Sequence, residues 1–262
     1  MPELPVDRPV LSVVVPVHDE QDNVGPLIDE IHSALQGRIE FEILFVDDAS
    51  ADGTAERLRQ AQHSHPRLRV LRHARNSGQS AAVVSGVRAS RGTLVATLDG
   101  DGQNNPADIV ALLERWELEP PGRPLLLAGW RRQRRDSGLR RLSSRVANRF
   151  RSALLGDGTP DTGCGLKMFE RALFLRLPCF DHMHRFLPAL VLREGGRVVS
   201  VPVGHRPRTR GRSHYGVWNR AWVGLVDIAG VMWLRRRIRL TTVEELPGSA
   251  FATPADASAA RR

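Results

Sequence analysis

The chain has 262 residues, 41% of them hydrophobic and 5% aromatic, with 38 basic side chains against 29 acidic and a formal net charge of +9. That length buries a full core, and the apolar share is that of an ordinary soluble globular domain. The two cysteines, Cys164 and Cys179, have neither metal-ligand spacing nor a disulfide framework, which excludes a stapled secreted scaffold and fits reduced thiols in the cytosol.

In chain order, Val10 to Val17 is a β-branched run, and Glu20 to Gln36 follows with helical apolar spacing at Val24, Leu27, Ile28, Ile31 and Leu35. Phe41 to Val46 reads as a second strand, closed by Asp47-Asp48-Ala49-Ser50. Thr54 to Ser64 is a predicted helix, Leu68 to His73 a third strand, Gly78 to Ser90 a helix of small residues, and Thr93 to Leu98 a fourth strand. Past Pro106 a helix runs to about Glu117; Pro120-Pro121-Gly122 then breaks the chain before a strand from Leu125 to Ala128. The arginine-rich stretch after Trp130 reads as a loop into a helix over Leu139 to Leu155, and Asp161 to Phe169 as a compact loop. His182 and His184 read as a capped helix start. A late strand, Val198 to Val203, leads to a basic loop from His205 to Tyr215.

Trp222 to Leu234 is apolar, but its 13 residues, with Asp227 among them, are too few to span a bilayer. The pattern fits a core helix and a membrane-interface helix equally. Strand–helix alternation with continuous apolar strands predicts an α/β fold, a mostly parallel sheet flanked by helices in a single domain over residues 10–234. Residues 1–9 form an N-terminal extension with no apolar signal segment. Residues 219–239 are the apolar and basic C-terminal helix of that domain, and 240–262 a disordered tail.

Ligands on such sheets collect at the carboxyl ends of strands. Three predicted strands end in polar clusters: His18-Asp19-Glu20, Asp47-Asp48, and Asp99-Gly100-Asp101-Gly102-Gln103. Residues i and i+2 at a strand end point the same way, so Asp99 and Asp101 are placed to grip a divalent cation, the usual partner of a nucleotide diphosphate. Gly100 and Gly102 leave room for an incoming phosphate or sugar. A lone acidic turn is more often a helix cap; convergence of three strand ends favours the site. All but one of the 38 basic residues are arginine, Lys167 being the exception. Nine arginines lie between Arg131 and Arg151 against one acid, Asp136; four lie between Arg206 and Arg212, and a further cluster is Arg235, Arg236, Arg237 and Arg239. Such patches suit phosphate-bearing or anionic-membrane partners, although each alone fits a solvated helix face equally well.

Taken together, Val13 to Glu20, Val46-Asp47-Asp48-Ala49-Ser50-Ala51-Asp52-Gly53-Thr54, Asp99 to Gln103, Asp161-Thr162-Gly163-Cys164-Gly165-Leu166-Lys167 and Arg208 to Gly216 resemble the motifs of family 2 glycosyltransferases with a GT-A fold. The resemblance extends over roughly Leu11 to Leu234 and is greatest to the polyprenyl-phosphate (dolichol-phosphate mannose synthase-like) branch. It implies an inverting enzyme that moves a sugar from a nucleotide-diphosphate sugar to a polyprenyl phosphate, with Mg2+ or Mn2+ at Asp99 and Asp101. Pro16, His18, Glu20 and Val46 fall in the segments that bind the nucleotide, with Asp48 as the contact to the base and Asp47 structural. Asp99, Gly100, Asp101 and Gln103 match the metal and diphosphate site, and Arg208 matches a basic residue touching a phosphate. Arg131, Arg140 and Arg185 match arginines around the acceptor phosphate, with Arg141 the alternative to Arg140. His18-Asp19 replaces the family's common tyrosine-asparagine, and His214 stands where lysine is common.

The chemistry needs charge stabilisation on the leaving diphosphate, from a metal ion and arginines. A lipid phosphate, with a second pKa of about 6, is already ionised at pH 7 and needs guanidinium forks to sit beside another anion. Arg131→Ala is therefore expected to raise the requirement for lipid phosphate and spare nucleotide binding. Asp161 reads equally as a turn cap or as a contact to sugar hydroxyls or an arginine. Cys164 reads as packed. These readings place the protein in the cytoplasm, peripherally on the inner face of the cytoplasmic membrane, with an anionic membrane surface as a partner. A nucleic-acid partner is not expected, because aromatics are few and not interleaved with the basic patches. The principal alternative is a family 2 transferase with a soluble or polysaccharide acceptor. A nucleotidyltransferase is disfavoured, because Pro16-Val17-His18-Asp19-Glu20 is not a glycine-rich phosphate loop.

Overall fold

The computed structural model describes residues 10–131, 152, 154–207 and 217–238. Its strands are β1 (Leu11–Val17), β2 (Phe41–Asp47), β3 (Leu68–Arg72), β4 (Leu94–Thr97), β5 (Leu125–Arg131), β6 (Lys167–Glu170) and β7 (Arg197–Val203). Its α-helices are α1 (Val24–Leu35), α2 (Thr54–Ala61), α3 (Gln79–Ala89), α4 (Asp108–Glu117), α5 (Arg171–Arg176), α6 (Leu187–Arg193) and α7 (Val217–Arg237), and a 3-10 turn covers Met183–Arg185. Among the described residues the strands form one sheet in the order β3-β2-β1-β4-β6-β5-β7. Only β6 runs antiparallel to its neighbours.

Every residue of β1 and β2 is buried, as a sheet covered on both faces requires. Alternation divides β1 between two cores. Val13, Val15 and Val17 pack with Val24, Leu27 and Ile28 of α1 on one face. Val14 packs with Val83 and Val87 of α3 on the other. Gly86 makes that approach possible, since a Cβ there would collide with Val14 Cγ1 and meet Val46 Cγ2 at 3.1 Å.

Several expectations are corrected. Strand β4 stops at Thr97, so Asp99 and Asp101 are brought together by the turn beyond it, not by strand alternation. Helix α1 starts at Val24 because Glu20 to Asn23 form a turn in which the Asn23 N–H donates to Glu20 O at 2.9 Å. Strand β5 continues to Arg131 because β7 pairs with it throughout, ending at Arg131↔Val203. Part of the expected loop 161–169 is strand β6, four residues slotted between β4 and β5. Neither histidine caps a helix: His182 is left-handed (φ 61°) with no side-chain cap hydrogen bond, ahead of the 3-10 turn that holds His184. Gly100 is required by packing, since a Cβ there would collide with Val17 Cγ1, and Gly102 by its positive φ of 72°. Of the expected helix 139–155, Ser152, Leu154 and Leu155 are helical and the rest lies outside the described residues, as do most of the basic loop, the N-terminal extension and the tail.

Among the described residues no helix is long and apolar enough to cross a membrane. Helix α7 packs one face, with Ile228, Val231 and Met232 on the core, while Leu225, Val226 and Trp233 are exposed. Its Asp227 Oδ2 lies 3.0 Å from His182 Nδ1.

Candidate active site

Strand order reverses between β1 and β4: the chain goes from β1 outward to β2 and β3, then returns to β4 on the other side of β1. The crevice beyond the carboxyl ends at such a switch point is where open α/β sheets bind ligands. His18 to Glu20 leave β1 there, Asp47 and Asp48 leave β2, and Asp99 to Gln103 leave β4.

The first two strand ends brace each other. His18 Nδ1 lies 2.9 Å from Asp48 O, and its Nε2 lies 3.1 Å from Asn76 Nδ2. Asp19, left-handed at φ 55°, accepts from the Ala51 N–H at 2.7 Å. The Glu20 N–H donates to Thr54 Oγ1 at 2.9 Å, and the Glu20 carboxylate accepts from Asn23 Nδ2 at 2.6 Å. Asp47 accepts from the Ser50 N–H at 2.9 Å and pairs with Arg72 Nε at 3.1 Å. The buried Asp48 carboxylate holds the following loop: it accepts from the Ser77 N–H at 2.9 Å and the Gly78 N–H at 2.7 Å, and lies 2.7 Å from His73 Nδ1. Val46 is fully buried, with Cγ2 toward Gly86 of α3.

At the third strand end, Asp99 Oδ1 accepts from Gln79 Nε2 at 2.8 Å. Burial pushes the Asp99 carboxyl up from its ordinary pKa, and the neighbouring Asp101 charge pushes it further; Lys167, Arg131 and the Gln79 hydrogen bond oppose this. Asp101 accepts from the Gln103 N–H at 3.1 Å. The Gln103 carbonyl accepts from the Arg206 N–H at 3.0 Å, and the Arg206 guanidinium reaches Glu30 and Asn105, each at 2.6 Å. The start of the basic segment after β7 is thus tied to the acidic turn. Pro16, Gln79, Asp99, Lys167 and His184 are among the residues around a cavity of about 10 Å3.

Arg131 and Asp161 form a buried fork: Nε and Nη2 donate to the two carboxylate oxygens at 2.7 and 2.9 Å. Burial works against the Arg131 charge, but the Asp161 hydrogen bonds and charge outweigh it and raise the guanidinium pKa. Asp161 thus contacts an arginine, as one of its two readings has it. Cys164 is buried and its thiol is pushed up by burial. Arg185 is exposed at the end of the 3-10 turn. Arg140 and Arg208 lie outside the described residues.

Sequence reasoning missed four residues. Gln79, at the first turn of α3, orients Asp99. His184 Nδ1 lies 2.7 Å from Ser80 Oγ, and burial first, then the charges of Lys167, Arg185 and His182, lower its pKa to about 3. Arg206 was counted only as part of a basic cluster. Lys167 carries two signals, as the single lysine of an arginine-rich chain and as the last residue of the 161–167 motif.

The donor set fits a hard divalent cation shared with a ligand. Asp99 and Asp101 supply two carboxylates at one turn, and among the described residues no group of three or more His, Cys, Asp or Glu side chains could hold an ion unaided. Mg2+ and Mn2+ commonly take one or two carboxylates and complete their shell with phosphate oxygens and water.

Residues 12–177 match the Glycosyl transferase family 2 model. The chain is 36% identical over 240 residues to a dodecaprenyl-phosphate galacturonate synthase of Rhizobium johnstonii, covering 88% of this chain and 69% of that protein. It is 33% identical over 209 residues to an undecaprenyl-phosphate 4-deoxy-4-formamido-L-arabinose transferase of Edwardsiella ictaluri, covering 79% of this chain and 63% of that protein. The chain therefore spans just under two thirds of the second relative's length. In three dimensions it resembles mannosyl-3-phosphoglycerate synthase of Rubrobacter xylanophilus, with a TM-score of 0.69 at 22% identity over 91% of this chain and 79% of that one. It also resembles a Pyrobaculum calidifontis mannosyltransferase in complex with GDP-Man and Mn2+, with a TM-score of 0.63 at 22% identity over 90% of this chain and 67% of that one. The fold is GT-A, and the chain belongs to glycosyltransferase family 2.

Proposed function

We propose that the protein transfers a sugar from a nucleotide-diphosphate sugar to a polyprenyl phosphate, with inversion at the anomeric carbon. The observation that carries this reading is the two-carboxylate turn, Asp99 and Asp101, at the topological switch point, in a chain whose relatives are named for dodecaprenyl- and undecaprenyl-phosphate chemistry. Asp99 and Asp101 would hold Mg2+ or Mn2+, which when bound supplies positive charge for the leaving diphosphate. Pro16, His18, Glu20 and the loop fastened by Asp48 line the nucleotide side. In the transfer, an acceptor phosphate oxygen forms a bond to the anomeric carbon as the bond to the diphosphate oxygen breaks. The acceptor oxygen is already ionised at neutral pH, so no side chain needs to take a proton.

The acceptor phosphate is held by arginines: Arg185 among the described residues and Arg140 as the family motifs imply, with Arg208 on a donor or acceptor phosphate. Arg131 contributes by holding Asp161. The enzyme works at the inner face of the cytoplasmic membrane, where α7 presents Leu225, Val226 and Trp233 beside Arg235, Arg236 and Arg237. The test is incubation with Mn2+ and a panel of UDP- and GDP-sugars, offering undecaprenyl phosphate or 3-phosphoglycerate as acceptor, with products read by mass. A glycosylated lipid phosphate is expected; sugar on phosphoglycerate alone would replace the lipid acceptor with a soluble one.

A further inference from the structure

Lys167 is the only lysine among 38 basic side chains, and it is 3% exposed. It begins β6, paired with Thr97 of β4 and Ala128 of β5. Its Nζ donates to Thr162 O at 3.4 Å and to Cys164 O. Both carbonyls belong to the loop between Asp161, which grips Arg131, and Gly165, which lies against Asp99. A Cβ at position 165 would collide with the Asp99 carboxylate, and Gly165 O accepts from Thr97 Oγ1 at 2.7 Å. The loop 161–165 is therefore the wall behind Asp99, and the lysine is its fastening.

A buried ammonium is costly unless its donors are filled and anions face it. Two carbonyls accept its hydrogen bonds here; burial lowers its pKa, and the Asp99 and Asp161 charges oppose that shift. Elsewhere this chain uses arginine, whose planar fork suits carboxylates and phosphates. A compact ammonium with three rotatable donors suits two convergent carbonyls in a tight loop.

We propose that Lys167 is a positioning residue for the divalent-cation site: its ammonium gathers the Thr162 and Cys164 carbonyls and holds Gly165 against Asp99, fixing where that carboxylate points. This rests on the reading of Asp99 and Asp101 as the cation ligands. Lys167 itself is neither a ligand nor a proton donor to substrate.

The test is Mn2+ binding, followed by electron paramagnetic resonance in the presence of UDP or GDP, on wild type, Lys167→Met and Gly165→Ala. Supporting partners of metal ligands change affinity by about 10- to 100-fold, and a loss of that size is expected for Lys167→Met. The Mn2+ concentration for half-maximal transfer should rise more than kcat falls, a split that general loosening of the fold does not produce. Gly165→Ala, with the lysine intact, should weaken Mn2+ in the same way by displacing the same carboxylate. Unchanged Mn2+ affinity in Lys167→Met overturns the inference. If that variant does not fold, Gly165→Ala decides, and wild-type affinity in it overturns the inference. A wild-type protein that binds no Mn2+ contradicts the cation reading itself, and the inference with it.

Discussion

His184 shows how a side chain with an ordinary sequence context acquires a fixed state from its surroundings. Its pKa of about 3 in the fold lies below the ordinary 6.5, so between those values the unfolded chain takes up a proton that the folded chain refuses. The stability it contributes is complete above about 6.5 and declines as pH falls toward 3, with a limiting slope of about 1.4 kcal/mol per pH unit. The gap in urea-unfolding free energy between wild type and His184→Gln should therefore narrow from pH 7 to pH 5; a constant gap would contradict a half-buried imidazole held neutral. The Arg131–Asp161 fork is a second case, with side chains 9% and 5% exposed. Removing one partner of a buried pair costs about 3–5 kcal/mol, because the other charge is left uncompensated. Arg131→Ala and Asp161→Ala should each lose stability on that scale in denaturant unfolding, and the double variant should lose less than their sum. The fork gives Arg131 a structural role beside the acceptor contact that the resemblance implies.

Among the elements, the parallel half of the sheet was legible because its central strands β1 and β2 are buried on both faces and its helices keep one apolar stripe. The acidic clusters were legible for the same reason, since a polar break in a buried run marks a strand's end. Strand β6 was hidden: four residues beginning with a lysine carry no alternation, and only long-range pairing with β4 and β5 makes them a strand. With β6 unseen, Lys167 could not be placed beside Asp99. The Arg131–Asp161 contact spans 30 positions, and no local pattern announces it. Helix α3 offers a packing test. Gly86→Ala would drive a methyl into Val14 and Val46, and overpacking of this kind costs about 1–3 kcal/mol. A drop in the chemical midpoint at unchanged m-value is expected, and a neutral result would mean that α3 can lift from the sheet cheaply.

For the whole molecule, the proposed membrane partner rests on net charge and on an exposed apolar face. The chain carries a formal +9, and α7 leaves Leu225, Val226 and Trp233 exposed at 52, 56 and 60%, next to three arginines. Fully burying side chains of this size contributes about 1.5–3 kcal/mol each. Replacing all three by serine should therefore weaken sedimentation with anionic vesicles by about tenfold or more, while transfer to a short, water-soluble polyprenyl phosphate persists. Equal vesicle binding by both proteins would assign the exposed face to another partner. A cation-bound donor at Asp99 and Asp101 and a lipid phosphate that meet at one sheet edge, as proposed, make release of free nucleotide diphosphate from the sugar donor depend on both. With Mn2+ present, release should rise with undecaprenyl phosphate and saturate, and it should fall by about 100-fold or more in Asp99→Asn. Release that proceeds equally without lipid phosphate, or that survives the loss of the Asp99 carboxylate, would rule out this arrangement of donor and acceptor.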